Sequence, residues 1–158
     1  MTAPQITHAD ASRNILAFAS EGRLVQNAWH KKHEGREMAC LLGSMHQGVS
    51  KPSDCNGDLM PLWMAELTPV LFDGIASTEI TSVALRYGSL IAQWHVLKPQ
   101  NWKAIQTRFL IKLVDDAVES ARPVASKYDS WAKVEAACQR VVAALKTGDK
   151  KELKAAAA

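Results

Sequence analysis

Residues 80–94 read ITSVALRYGSLIAQW, and this stretch decides the fold class. Its apolar side chains recur at intervals of three and four residues, at Ile80, Val83, Ala84, Tyr87, Leu90, Ile91 and Trp94. An α-helix completes a turn every 3.6 residues, so this spacing places the apolar side chains on one face. The stretch therefore predicts an amphipathic helix that packs against other helices.

The same helical spacing occurs in nearly every other segment, whereas the alternation of apolar and polar residues that is typical of strands is missing. We therefore predict an all-α fold, a compact bundle of about five to six helices. Capping and turn-forming residues place the expected helices at residues 11–21, 23–46, 59–74, 78–97, 102–121 and 130–147.

Two prolines are expected to interrupt these helices. Pro69 lies inside the third expected helix, and Pro123 follows the apolar run that ends at about Ala121. Proline lacks a backbone N–H group and its ring clashes with the preceding turn. We therefore expect a kink or break just before Pro69 and a helix end before Pro123.

The chain has 158 residues, the size of one domain, and we predict a single helical domain over residues 1–148. Residues 149–158, DKKELKAAAA, have little apolar surface to bury and are expected to form a frayed or flexible tail. Residues 47–58, QGVSKPSDCNGD, are rich in turn formers and are expected to form the longest loop.

The bulk charge and the cysteines limit the class of protein. The chain carries 19 basic and 16 acidic residues in a mixed order, and a net charge of only +3, so we do not expect nucleic acid as its main partner. Three cysteines, an odd number without C-x-x-C spacing, argue against a disulfide framework.

Because no apolar run is long enough to cross a bilayer and the N-terminus does not read as an export signal, we expect no membrane partner and a cytoplasmic location.

Residues 29–46, WHKKHEGREMACLLGSMH, contain the densest group of possible ligands and proton carriers. On the expected helix, His30 and His33 lie one turn apart and His33 and Glu37 lie four residues apart, so each pair can meet on one face. Glu34 falls on the apolar side, where a carboxylate needs a partner or a metal ion. One interpretation is a metal site, since imidazole and carboxylate groups suit zinc or iron; the other is a row of exposed side chains that contact one another.

Paired carboxylates allow a second kind of metal site. Glu34 and Glu37 form E-x-x-E, Asp116 and Glu119 form D-x-x-E, and Asp115 lies beside the second pair as a further ligand. Two such pairs on facing helices can hold Mg²⁺ through oxygen ligands.

In these residues the chain resembles the all-α nucleoside triphosphate pyrophosphatases, which use E-x-x-E and E-x-x-D pairs on neighbouring helices to bind magnesium and hydrolyse nucleotides. The resemblance implies Mg²⁺ as the cofactor. It also gives a catalytic role to the four paired carboxylates, Glu34, Glu37, Asp116 and Glu119.

No P-loop, dinucleotide-binding or α/β-hydrolase motif occurs in the chain. Segments 59–72 and 102–118 are apolar around more than half of the helix circumference, which is typical of a central helix or a partner surface. We therefore favour a non-enzymatic interaction or regulatory protein without a cofactor, whose partner is itself, as a homo-oligomer, or another protein of a larger assembly. The alternatives are the magnesium-dependent nucleotide pyrophosphohydrolase and a weak nucleic-acid-binding protein that uses Lys103, Arg108 and Lys112.

Overall fold

A computed structural model describes residues 5–55 and 57–156, which form six α-helices and one two-stranded sheet. The expected all-α class and the expected number of helices are thereby confirmed. The density of contacts divides the chain into two units, Met1–Leu97 and Lys98–Ala158. The single domain over residues 1–148 stays a prediction.

The first unit contains three α-helices, α1 (His8–Ser20), α2 (Leu62–Gly74) and α3 (Ile80–Ile91). The start of α1 is fixed by Thr7, whose hydroxyl accepts a hydrogen bond from the Asp10 backbone N–H at 3.1 Å. α1 packs against α3. Gly88 of α3 allows this contact to be close, because a Cβ atom there would lie 3.0 Å from the Leu16 side chain of α1.

Between α1 and α2 the chain forms a β-hairpin, β1 (His30–His33) and β2 (Arg36–Ala39), so the helix expected over residues 23–46 is wrong. The strands are antiparallel, with His33 opposite Arg36. Glu34 and Gly35 form the turn between them and have positive φ angles of 50° and 77°. Two-residue hairpin turns require such angles, and glycine adopts them without strain, so the Glu-Gly pair favours a turn over a continuous helix.

The core of the first unit is built around the segment that follows the hairpin. Residues 40–45 are all buried, although only Gly43–Met45 forms a short 3₁₀ turn. They pack with apolar side chains from the three helices and the following loop, among them Ile15, Val49, Leu59, Phe72 and Ile91. A segment without regular structure therefore lies at the centre of this unit.

The loop expected over residues 47–58 carries one 3₁₀ turn, Pro52–Asp54, and Asn56 lies outside the described residues. The Asp54 carboxylate accepts hydrogen bonds from the backbone N–H groups of Ser50 and Lys51 at 2.9 and 3.1 Å. These bonds, the one from Ser50 being the strongest cause, lower the pKa of Asp54. The carboxylate thereby ties this part of the loop together.

The second unit contains α4 (Pro99–Ala125), α5 (Trp131–Thr147) and α6 (Lys150–Ala156). α4 packs against α5, and α5 packs against α6. α5 ends as expected at Gly148, which has a φ of 73°. Although α4 has 27 residues, no helix within the described residues is long and apolar enough to cross a membrane.

Both prolines lie inside helices, so the expected helix end before Pro123 is wrong, and so is a break before Pro69. The kink expected there as the alternative to a break stays a prediction. α2 runs through Pro69 to Gly74, and α4 runs through Pro123 to Ala125. A proline inside a helix costs about 3 kcal/mol, an amount that tertiary packing can offset. Pro123 also lies in the last turn of α4, where only a few residues follow it.

We expect Gly43→Ala to destabilise the first unit strongly. A Cβ atom at Gly43 would lie 2.2 Å from the backbone oxygen of Trp29, and this oxygen is already held by a hydrogen bond from the Cys40 N–H at 3.2 Å. Relief of the clash requires a backbone shift, and overpacking of this kind costs about 1–3 kcal/mol. Urea unfolding followed by circular dichroism measures the free energy of unfolding.

Gly74→Ala is the matched control, because nothing lies within 4 Å of a Cβ atom at Gly74. It should leave the free energy of unfolding unchanged or raise it by up to about 1 kcal/mol, because alanine favours a helix more than glycine does. Equal stability of Gly43→Ala and the wild type would disprove the close approach of residue 43 to Trp29.

Candidate functional site

The polar residues of 29–46 lie on the β-hairpin and not on a helix. Glu34 is exposed in the turn, so its expected position on an apolar helix face is wrong. His30 and His33 are exposed in β1, and Glu37 is exposed in β2. Side chains of a strand alternate between its two faces, so His30 and His33 point to opposite sides, and the face expected to be shared by both is not formed.

His30 and Glu37 attach the hairpin to the loop that follows it. His30 Nε2 donates a hydrogen bond to the Val49 carbonyl oxygen at 2.8 Å. Two residue pairs along the hairpin, the Gln47 side-chain amide donates to the Glu37 carboxylate at 2.9 Å. A nitrogen that donates to a carbonyl carries its proton and has no lone pair for a metal ion. The side chains of His30 and Glu37 thus have a structural role, because they hold the hairpin against the loop that follows it.

Three other histidines of the first unit, His8, His46 and His95, also bind the backbone. His8 Nε2 donates to the Leu59 carbonyl oxygen at 3.0 Å, and His95 Nδ1 donates to the Ala92 carbonyl oxygen at 2.9 Å. His46 is exposed, and its Nδ1 atom accepts a hydrogen bond from the Gly48 N–H at 2.9 Å. Each of these contacts fixes a turn or a loop.

The second group of carboxylates lies on α4. Asp115 and Glu119 are exposed, and Asp116 is half-buried. The Lys112 ammonium group donates a hydrogen bond to Asp116 one turn further on. This bond, together with the negative charge of Asp116, raises the pKa of Lys112. Asp116 is therefore engaged by a cation of its own helix.

The two carboxylate pairs belong to different units, since Glu34 and Glu37 lie in the first and Asp116 and Glu119 in the second. Within residues 5–55 and 57–156, no three histidine, cysteine, aspartate or glutamate side chains are grouped so that they could hold a metal ion. Magnesium binding and nucleotide hydrolysis stay predictions.

A groove of about 460 Å³ runs between α4 and α5. Its lining includes Asp115, Glu119 and Cys138. It also includes Arg122 and Glu135, which join the two helices through an ion pair of 2.6 Å between the guanidinium and the carboxylate. Both partners are partly exposed to water, so this pair fixes the helix positions more than it adds to stability.

A second groove between the same helices, of about 490 Å³, has a basic lining. Lys103, Arg108 and Lys146 contribute to it, and its lining contains no carboxylate. The helix expected to carry Lys103, Arg108 and Lys112 is confirmed as α4. Nucleic-acid binding by these residues stays a prediction.

Two of the three cysteines are buried in the first unit. Burial raises the pKa of Cys40, and it raises the pKa of Cys55 to about 11. Thiolates are the reactive form of cysteine, so both thiols are suited to packing and not to nucleophilic chemistry. Cys138 is half-buried in the groove between α4 and α5.

The surface that departs most from an ordinary globular surface is on α4. An inner stripe faces α5 at intervals of three and four residues and is half-buried: Thr107, Ile111, Val114, Val118, Ala121 and Ala125. A second row with the same spacing is exposed, and we call it the outer stripe: Leu110, Leu113, Ala117, Ser120 and Val124. Leu113 keeps 53% and Val124 keeps 62% of their surface exposed. Such spacing is typical of the seam between two packed helices.

The sequence predicts that residues 102–118 are apolar around most of the helix. The structure divides these residues into the inner and the outer stripe. The signal that separates them is the interval of three and four residues counted from Leu110 through Val124. This count identifies two apolar rows, and the structure shows which of them faces α5.

The chain has no match among protein-family models, curated proteins or solved structures.

We expect only one of the three thiols to react in the folded protein. At pH 8, a chromogenic disulfide reagent should label Cys138 and leave Cys40 and Cys55 unmodified, because both are buried and protonated. In denaturant all three should react. Cys138→Ser should remove the reaction of the folded protein, and rapid labelling of more than one thiol would contradict the buried positions.

The pKa of Cys55 also predicts a dependence of stability on pH. The thiol of the unfolded chain ionises at about 9.0, whereas the folded protein keeps the proton until about 11. Between these values the unfolded state binds fewer protons than the folded state, so the free energy of unfolding falls as the pH rises. Cys55→Ala should make this decrease smaller in urea titrations between pH 8 and 11.

Proposed function

We propose that this protein is a non-enzymatic interaction protein that associates through α4, as a homo-oligomer or as a subunit of a larger assembly. The observation that carries the proposal is the small number of buried residues in the second unit. In its described part only Val142 and Ala144 are buried, and α4 has no buried residue along its 27 positions.

A unit with so few buried residues needs a further contact to be stable. A domain of about 60 residues is already marginal when it has a complete core. In contrast, the first unit buries apolar side chains from every one of its helices. An additional partner on α4 supplies the apolar burial that the pair of α4 and α5 lacks.

The outer stripe has the size and the chemistry of such a contact. α4 is about 40 Å long at 1.5 Å per residue, and its exposed apolar residues extend from Ile105 to Val124. Complete burial of a leucine or valine side chain contributes about 1.5–3 kcal/mol. Leu110, Leu113 and Val124 keep 37%, 53% and 62% of their surface exposed, so covering them contributes a part of this amount to a helical contact.

A smaller apolar patch on the first unit supports membership of an assembly. α2 exposes Leu62, Val70 and Leu71, with 69% of the surface of Val70 accessible. Val70 and Leu71 are neighbours, whereas Leu62 lies two turns away beyond the exposed Glu66. Exposed apolar groups of this kind are often found at interaction sites. The apolar side chains of segment 59–72 predict either a central helix or a partner surface, and α2 contains most of this segment.

A cytoplasmic location is part of the proposal. The three free thiols support it, since a reducing compartment keeps cysteines in this form.

Leu113→Lys should abolish association. At micromolar concentrations we expect the wild-type protein to have at least twice its chain mass of 17.3 kDa, and the variant to have the mass of one chain. Burial of an unpaired lysine at the centre of the outer stripe costs several kcal/mol, which no contact at its rim offsets. Light scattering coupled to size-exclusion chromatography measures both masses.

Ala104→Lys is the control. It introduces the same charge into the same helix, but nine residues from Leu113 and therefore on the opposite side of α4, where Ala104 is exposed. It should leave the mass unchanged. A wild-type protein that stays monomeric at tens of micromolar, and that purifies without a partner, would refute the proposal.

A further inference from the structure

The groove with the basic lining lies where α5 ends beside α4. On α5 its lining consists of residues 145–147, the last three of the helix, and of Gly148. On α4 the lining begins in the first turn, at Gln100, and extends to Ile111. The space of about 490 Å³ between these residues thus occupies the corner between the N-terminal part of α4 and the C-terminal end of α5, and we call it the basic groove.

Three cations line the basic groove, and none of them has an acidic partner among the described residues. Lys103 and Arg108 come from α4, and Lys146 comes from α5. The ion pairs of the second unit's described part are made instead by the two other basic side chains of α4, at positions 112 and 122. Like charges around one groove repel one another, so an anion that enters the groove is attracted by all three.

The bottom of the basic groove is less polar than its rim. Thr107, Ile111 and Leu145 are half-buried, whereas the three cations are exposed. At 100° per residue, Lys103 and Arg108 lie on opposite sides of Thr107, so they border the half-buried side chains from both directions. Thr107 and Ile111 belong to the inner stripe, so the groove is separate from the outer stripe on which association is proposed.

Two sources of negative charge lie beside the basic groove. The C-terminal end of α5 carries a partial negative charge, which Lys146 opposes from the last turn of the same helix. Asp149 follows Gly148, but its carboxylate accepts hydrogen bonds from the backbone N–H groups of Lys151 and Glu152, at 2.9 and 3.0 Å. The carboxylate is thus engaged at the start of α6, and the charged side chains that line the groove are all positive.

We infer that the basic groove binds a small organic phosphate. The phosphate oxygens contact Lys103, Arg108 and Lys146, and the apolar part of the ligand lies against Ile111 and Leu145. A phosphate monoester carries a charge of about −1.5 to −2 at pH 7 and has three acceptor oxygens, so it can serve several cations at once. The planar guanidinium of Arg108 suits it further, because it can donate two parallel hydrogen bonds. The volume of the groove is in the range of small-molecule sites.

Amide NMR shifts of the full-length protein at low salt test the inference, with hexyl phosphate, methyl phosphate and hexanol as probes. Hexyl phosphate should shift the amides of residues 103–111 and 145–148. Methyl phosphate should bind at least about fivefold more weakly, since it has almost no apolar surface to bury. Hexanol, which has no charge, should not bind. Equal affinity of the two phosphates, shifts confined to other residues, or no shifts at millimolar hexyl phosphate would each overturn the inference.

A matched pair of variants tests the contribution of the cations. Arg108→Gln should weaken the binding of hexyl phosphate about tenfold, because it removes charge-assisted hydrogen bonds to the phosphate. Lys133→Gln removes the same charge from an exposed position of α5, about 20 Å from Lys146 along the helix, and should change the affinity less than about twofold. Both variants should keep the circular dichroism spectrum of the wild type. Equal weakening by both substitutions would reveal attraction by the net charge alone and would overturn the site.

Vesicles of phosphatidylcholine and phosphatidic acid distinguish a free organic phosphate from a lipid headgroup with the same chemistry. The protein should bind hexyl phosphate in solution and should not sediment with the vesicles. Sedimentation with the vesicles, without any amide shift caused by hexyl phosphate, would overturn the inference in favour of a membrane surface.

Discussion

The uneven distribution of buried apolar surface between the two units is the constraint on which the properties of this protein depend. In the first unit, α1, α2, α3 and residues 40–49 share one core. In the described part of the second unit only Val142 and Ala144 are buried, although α4 has two rows of apolar side chains. A helix with two apolar rows and a single neighbour inside its unit leaves one row exposed to water. Apolar surface in contact with water is unfavourable. A protein is therefore expected to retain such a row only where another surface covers it.

The close approach of Gly43 to Trp29 explains why the centre of the first unit is irregular. The backbone of residue 43 contacts the Trp29 carbonyl group with no room for a side chain, while the Cys40 N–H binds the same oxygen. His30 and Glu37 then attach the loop of residues 46–49 to the hairpin. The polar cluster that resembles a chemical site in the sequence thus holds a loop over the core, through bonds made largely to the backbone.

The helical class was predictable because the expected helices depend on local periodicity and capping, and α2 and α5 lie within three residues of their predicted bounds. The hairpin was not predictable by the same reasoning, because Met38, Leu41, Leu42 and Met45 have helical spacing. Only the Glu34-Gly35 turn and the contact of Gly43 with Trp29 select the extended form, and the second of these is a tertiary contact. The expected faces of His33 and Glu34 followed from the helix and were lost with it. The apolar excess of residues 102–118 was predictable, since it depends on the composition of the segment alone.

The order of charges along α4 also bears on the choice of partner. A nucleic-acid backbone attracts a continuous basic surface. On α4 the basic residues are followed by Asp115, Asp116 and Glu119, and Lys112 already donates to Asp116. A polyanion that extends along this helix meets repulsion over its second half.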